Sequence, residues 1–130
     1  MKLLFVLARI VLGGLMLFSG LNKFFHFAEL PQYEGDAGTF LDILTQSHFL
    51  NVVGGIEILG GLLLVTGFFV PLGVKLLGPI VVNILLFHGL IEGNWAEPVA
   101  LVAAGLFLVT LIGARRAFTP IFRPTLEGDD

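Results

Sequence analysis

Four apolar stretches dominate the chain: roughly Leu3 to Phe25, Val52 to Val70, Val74 to Ile91 and Pro98 to Ala114. A bilayer hydrocarbon core about 30 Å thick is crossed by around 20 helical residues, since each rises about 1.5 Å. All four stretches approach that length, the last two at the short end. Of the 130 residues 56% are hydrophobic and 13% charged, and the mean hydropathy is +0.97. A soluble domain of this size has too little interior to hide so much apolar surface. The absence of cysteine excludes a disulfide-stapled module and a thiol-based zinc site. A net charge of −3 gives no footprint for nucleic acid. The expectation is an all-α integral membrane four-helix bundle over residues 1–114, with a cytoplasmic tail over 115–130.

Local signals refine the spans. Pro98 suits a first helical turn, and Pro71 with Gly73 predicts a tight turn between the second and third spans. Pro79 falls inside the third, where its ring excludes one backbone hydrogen bond. The opening, Lys2 followed by an apolar run, is reminiscent of a signal peptide, but Arg9 interrupts the run and no A-x-A site follows. It is expected to remain as the first span. With four crossings, Lys2, Arg9, Lys75, Arg115, Arg116 and Arg123 share one side and only Lys23 lies on the other. That bias predicts a multi-pass membrane protein with both termini cytoplasmic. Glu29, Glu34, Asp36, Asp42, Glu92 and Glu97 then face outward.

The first outer loop has a pattern of its own. Asp36 is placed as an N-cap, and Phe40, Leu41, Leu44 and His48 fall on one helical face opposite Asp42 and Gln46. A dozen or so residues do not span a bilayer. They predict a short interfacial helix lying over the outer mouth of the bundle.

Polar groups inside the spans carry the functional information, because lipid makes each one expensive. Arg9, Gly13, Met16, Gly20 and Lys23 recur in steps of four and three, a single stripe expected to pack against other helices, with Ser19 and Asn22 beside it. Arg9 either snorkels to the headgroups or pairs internally. Glu57 lies a turn and a half below the outer end of the second span and is too short to snorkel, so it is either protonated or paired with a cation. Lys23 lies at the same depth on an antiparallel neighbour. A Lys23–Glu57 pair would be a structural clamp or the polar wall of a ligand or proton site. Asn83 lies near mid-membrane and His88 near the outer end, about 140° apart around the helix axis, so the two are not expected to point squarely into one pocket. Glu92, four residues on, shares the face of His88, which is read as a proton-exchanging group or as an interfacial partner of Glu92. No spacing of ligands marks a metal site, and no nucleophile motif is present.

Arg9-x3-Gly13, continuing through Phe18-x-Gly20-x2-Lys23-Phe24, and Glu57-x2-Gly60-Gly61-Leu62-Leu63-Leu64-x2-Gly67 together resemble the DoxX family of small bacterial membrane proteins. The resemblance implies a four-helix bundle and singles out Arg9, Lys23 and Glu57. It also implies a partnership with redox proteins, since family members are linked to thiosulfate:quinone oxidoreduction, oxidant defence and maturation of redox enzymes. The resulting expectation is a membrane subunit, not catalytic by itself, embedded in lipid among other subunits of a redox complex. Lys23, Glu57, Asn22, His88 and Asn83 are the candidate ligand residues for a quinone or a lipid; Arg9, Ser19 and Glu92 are assigned structural polar roles. The alternative is an accessory subunit that stabilises a larger complex without ligand.

Overall fold

The computed structural model describes residues 2–27, 33–122 and 124. Glu29 and the tail residues Arg123, Glu127, Asp129 and Asp130 lie outside the described residues. Helix α1 runs Lys2–Phe25, α2 Gly35–Gln46, α3 Phe49–Thr66, α4 Val70–Leu86 and α5 Pro98–Gly113. A π-helical turn, Phe87–Ile91, extends α4, and two 3-10 turns, Arg115–Ala117 and Thr119–Phe122, follow α5. Three of the helical segments, Lys2–Phe25, Phe49–Thr66 and Val70–Ile91, are long and apolar enough to cross a membrane, whereas α5 is shorter.

The four long helices close into a ring, with α1 packed on α3 and α5, and α4 packed on the same two. Large apolar side chains such as Leu4, Phe18, Leu59, Val82 and Leu108 are exposed around its rim. An apolar rim of this kind matches a lipid surround, since hydrocarbon imposes no cost on it. Inside, Leu12, Met16, Leu64, Val74, Leu77, Ile80, Val81 and Ala103 form the core.

Glycine sets the closest contact. A Cβ at Gly13 would stand 2.8 Å from the Gly61 carbonyl oxygen, and one at Gly61 would stand 2.7 Å from that of Gly13. Gly20 and Gly54, seven residues further along each antiparallel helix, meet in the same way. Small residues at these positions let the α1 and α3 backbones touch, which is how helices gain packing energy in lipid.

Several local expectations are corrected. Asp36 is not the cap of α2: Glu34 holds that position without a side-chain bond, and Asp36 lies in the first turn, where its charge complements the helix dipole. Gly35, at φ +66°, allows the chain to enter the helix there. His48 is off the α2 face, because it takes a left-handed conformation at the junction that sends the chain directly into α3. Helix α3 consequently starts three residues earlier than the hydropathy predicts. The turn between α3 and α4 consists of residues 67–69, not Pro71 and Gly73, since proline lacks the N–H that a first helical turn leaves unpaired. Gly67, at φ +83°, ends α3 and donates its N–H to the Leu63 carbonyl.

Candidate functional site: a cavity beneath α2

Helices α3 and α4 pack closely near the turn that joins them, where a Cβ at Gly73 would stand 3.2 Å from the Gly60 carbonyl oxygen. Between them lies a cavity of about 580 Å³. Its walls follow helical periodicity: Phe49, Leu50, Val53 and Glu57 from α3, and Ile80, Asn83, Ile84, Phe87, His88 and Ile91 from α4 and the π turn. Phe40, Leu41 and Leu44 of α2 cover it, and Lys23 of α1 reaches it from behind.

Lys23 and Glu57 form its charged element. The Lys23 ammonium stands 2.6 Å from Glu57 Oε1, with the Glu57 side chain 1% exposed. Helical side chains lean toward the N-terminus, so Lys23 extends back along α1 and donates to Ser19 Oγ at 2.9 Å. That is the regular hydrogen bond of the ammonium, and the contact with Glu57 is one of charge. Removing the carboxylate from water is costly, and the adjacent cation offsets much of that cost.

His88 lies nearer the mouth. Its Nδ1 is 3.0 Å from Glu92 Oε1, and its Nε2 is 3.9 Å from Glu97 Oε2. Glu97 is the N-cap of α5, accepting from the Ala100 N–H at 2.7 Å, so the imidazole bridges the end of α4 to the start of α5. Tyr33 stacks edge-on against Phe87 at 5.2 Å between ring centroids. Burial, and then the Glu92 and Glu97 carboxylates, hold the Tyr33 phenol above its ordinary pKa of 10.0.

Lys23, Glu57, Asn83 and His88 thus border one cavity, while Asn22 is buried outside its lining. Asn83 and His88 meet there despite their angular separation. The cavity is broad enough to be lined from both flanks, and the helix widens at Phe87, where the Glu92 N–H bonds the Phe87 carbonyl five residues back. Sequence reasoning missed Tyr33, Phe87 and Glu97 as neighbours of His88. The one available signal was that Tyr33 is the chain's single tyrosine and falls in an outer segment.

Arg9 lies at the opposite end of the bundle. Its guanidinium packs on Gly67 at the C-terminus of α3, where unpaired carbonyls gather negative partial charge. Among the described residues, no group of His, Asp and Glu is arranged to hold a metal ion.

The DoxX family model matches residues 4–89, a stretch that contains every cavity-lining residue except Ile91. No curated protein and no solved structure matches the chain. With two thirds of its residues matched, this multi-pass helical membrane protein belongs to the DoxX family.

Proposed function

We propose that the chain is a small subunit of a membrane redox assembly and that its cavity takes a quinone-like ring. The cavity carries this reading: about 580 Å³, within the range of small-molecule sites, apolar and aromatic on most sides, with a few separated polar groups. A quinone needs flat apolar walls and hydrogen-bond donors at its two oxygens. Lys23 and His88 supply donors, Asn83 supplies both donor and acceptor, and Glu57 tunes the Lys23 ammonium. The family's association with redox proteins supports the same direction.

The accompanying topology is four crossings, carried by α1, α3, α4 with its π turn, and α5, in a bacterial cytoplasmic membrane, with residues 115–130 and the N-terminus inside. Arg9 and Lys75 support it, since both sit at the end of the bundle away from the cavity, with Lys75 over the Phe118 ring. Helix α5, with 16 residues, rises about 24 Å, and local bilayer thinning accommodates the difference.

Glu57→Gln tests the reading, because it keeps the shape and removes the charge. The assembly should stay intact while the quinone that co-purifies with it, or its quinone-linked turnover, falls. An intact assembly with both unchanged overturns the quinone reading. It favours the second one, an accessory subunit in which Lys23, held by Ser19 and Glu57 together, only clamps α1 to α3.

A further inference from the structure

The cavity has aromatic rings across its outer end and exposed lining residues further in. Three aromatic rings span its outer end: Phe40 of α2 lies 5.8 Å from Phe87, and Tyr33 lies 5.2 Å from the same ring. His88, tied to Glu92, stands against Phe87 behind them. Deeper in the gap between α3 and α4, the lining residue Leu86 is 41% exposed.

Asn83 lies in this gap. It lines the cavity, its residue surface is exposed, and among the described residues its amide makes no hydrogen bond. The segment Val70–Ile91 holds 22 residues, which places Asn83 about 20 Å along it and about 12 Å from its outer end. That depth is hydrocarbon. An amide with no partner at that depth is costly.

We infer that the cavity is loaded sideways from the bilayer, through the gap between α3 and α4, by a lipid-soluble ring bearing an apolar tail, and that Asn83 meets an oxygen of that ring. The inference rests on the quinone reading and specifies its ligand as a tailed, membrane-dissolved quinone. The ring lies between the walls of Val53 and Ile84, with one oxygen toward Lys23. The tail leaves past Leu86 into the lipid, where its burial costs nothing. A water-soluble ring has no comparable route, since it would have to displace Tyr33 and α2.

The test uses the full chain in lipid nanodiscs with two probes at equal membrane concentration: a prenyl-tailed benzoquinone carrying a photoreactive diazirine on its tail, and the same ring without a tail. The tailed probe should label residues around Val53, Val82 and Leu86. Unlabelled tailed quinone should compete, and retention should exceed that of the tail-less ring by about tenfold. Asn83→Leu, at an exposed position, should keep the thermal midpoint and weaken retention about tenfold, the equivalent of one lost hydrogen bond. Competable labelling confined to residues 33–46, or equal retention of the tail-less ring, overturns sideways entry and leaves the quinone reading standing. An absence of competable labelling, with neither ring retained, overturns both. Unchanged retention in Asn83→Leu together with a changed oligomeric state assigns the amide to a contact between helices of two chains and removes it from the ligand site.

Discussion

Lys23 Nζ and Glu57 Oε1 are 2.6 Å apart and join α1 to α3 at the edge of the cavity. The two residues lie one turn to either side of the Gly20–Gly54 crossing, Lys23 beyond it on α1 and Glu57 inward of it on α3. Close backbones and a paired charge therefore occur at the same place. Glycine at the crossing brings the helices near enough for the ammonium to reach the carboxylate.

Breaking the pair leaves a buried charge. Lys23→Met and Glu57→Gln should each destabilise by about 3 kcal/mol, and the double variant should cost less than the sum. Thermal unfolding in mild detergent measures the cycle. Strict additivity would show that the two side chains are not energetically coupled.

The glycine contacts make a second, sharper contrast. Gly61→Ala should destabilise by about 1–3 kcal/mol, because the added methyl meets the Gly13 carbonyl oxygen and the Leu17 backbone. Gly14→Ala and Gly55→Ala have nothing within 4 Å of the new carbon, so they should be neutral or stabilising by up to about 1 kcal/mol. Equal effects at all three positions would contradict backbone contact as the cause.

Orientation is accessible because the chain has no cysteine. Asp42→Cys and Asn94→Cys should react with an impermeant thiol reagent applied to intact cells, and Thr119→Cys should react only after the membrane is opened. The reverse pattern would invert the proposed topology.

Tyr33 offers a spectroscopic readout, since the phenolate absorbance of the chain's single tyrosine reports one group. Its midpoint should lie above 10.0 in the folded protein. Glu92→Gln should lower it by removing a negative neighbour, yet leave it raised, because burial is the larger cause. A folded value above the unfolded one means that this contribution to stability is complete below pH 10 and is lost as the pH rises through the folded midpoint. A midpoint unmoved in Glu92→Gln would show that the carboxylate does not act on the phenol.

Residue type and period alone determined a great deal here. Long apolar runs with scattered glycine commit the chain to helices in lipid, because hydrocarbon leaves the backbone no other partner than itself. The stripe from Arg9 to Lys23 marks the packed face of α1; Lys23 and Glu57 are not at equal depth but a turn to either side of the Gly20–Gly54 crossing, and the long Lys23 stem, leaning back along α1, closes the distance. Tertiary structure decided the rest. Pro71 reads as a turn in isolation and is the start of a helix in the fold, since a helix's first turn tolerates a missing donor. The His88–Glu97 approach joins residues on different helices, so no spacing encodes it. The π turn at Phe87–Ile91, the placement of α2 against α3 and that turn, and the cavity that they line arise only when α3 and α4 are packed together. A local pattern specifies which face of a helix is buried; the space left between two faces depends on the angle at which whole helices meet.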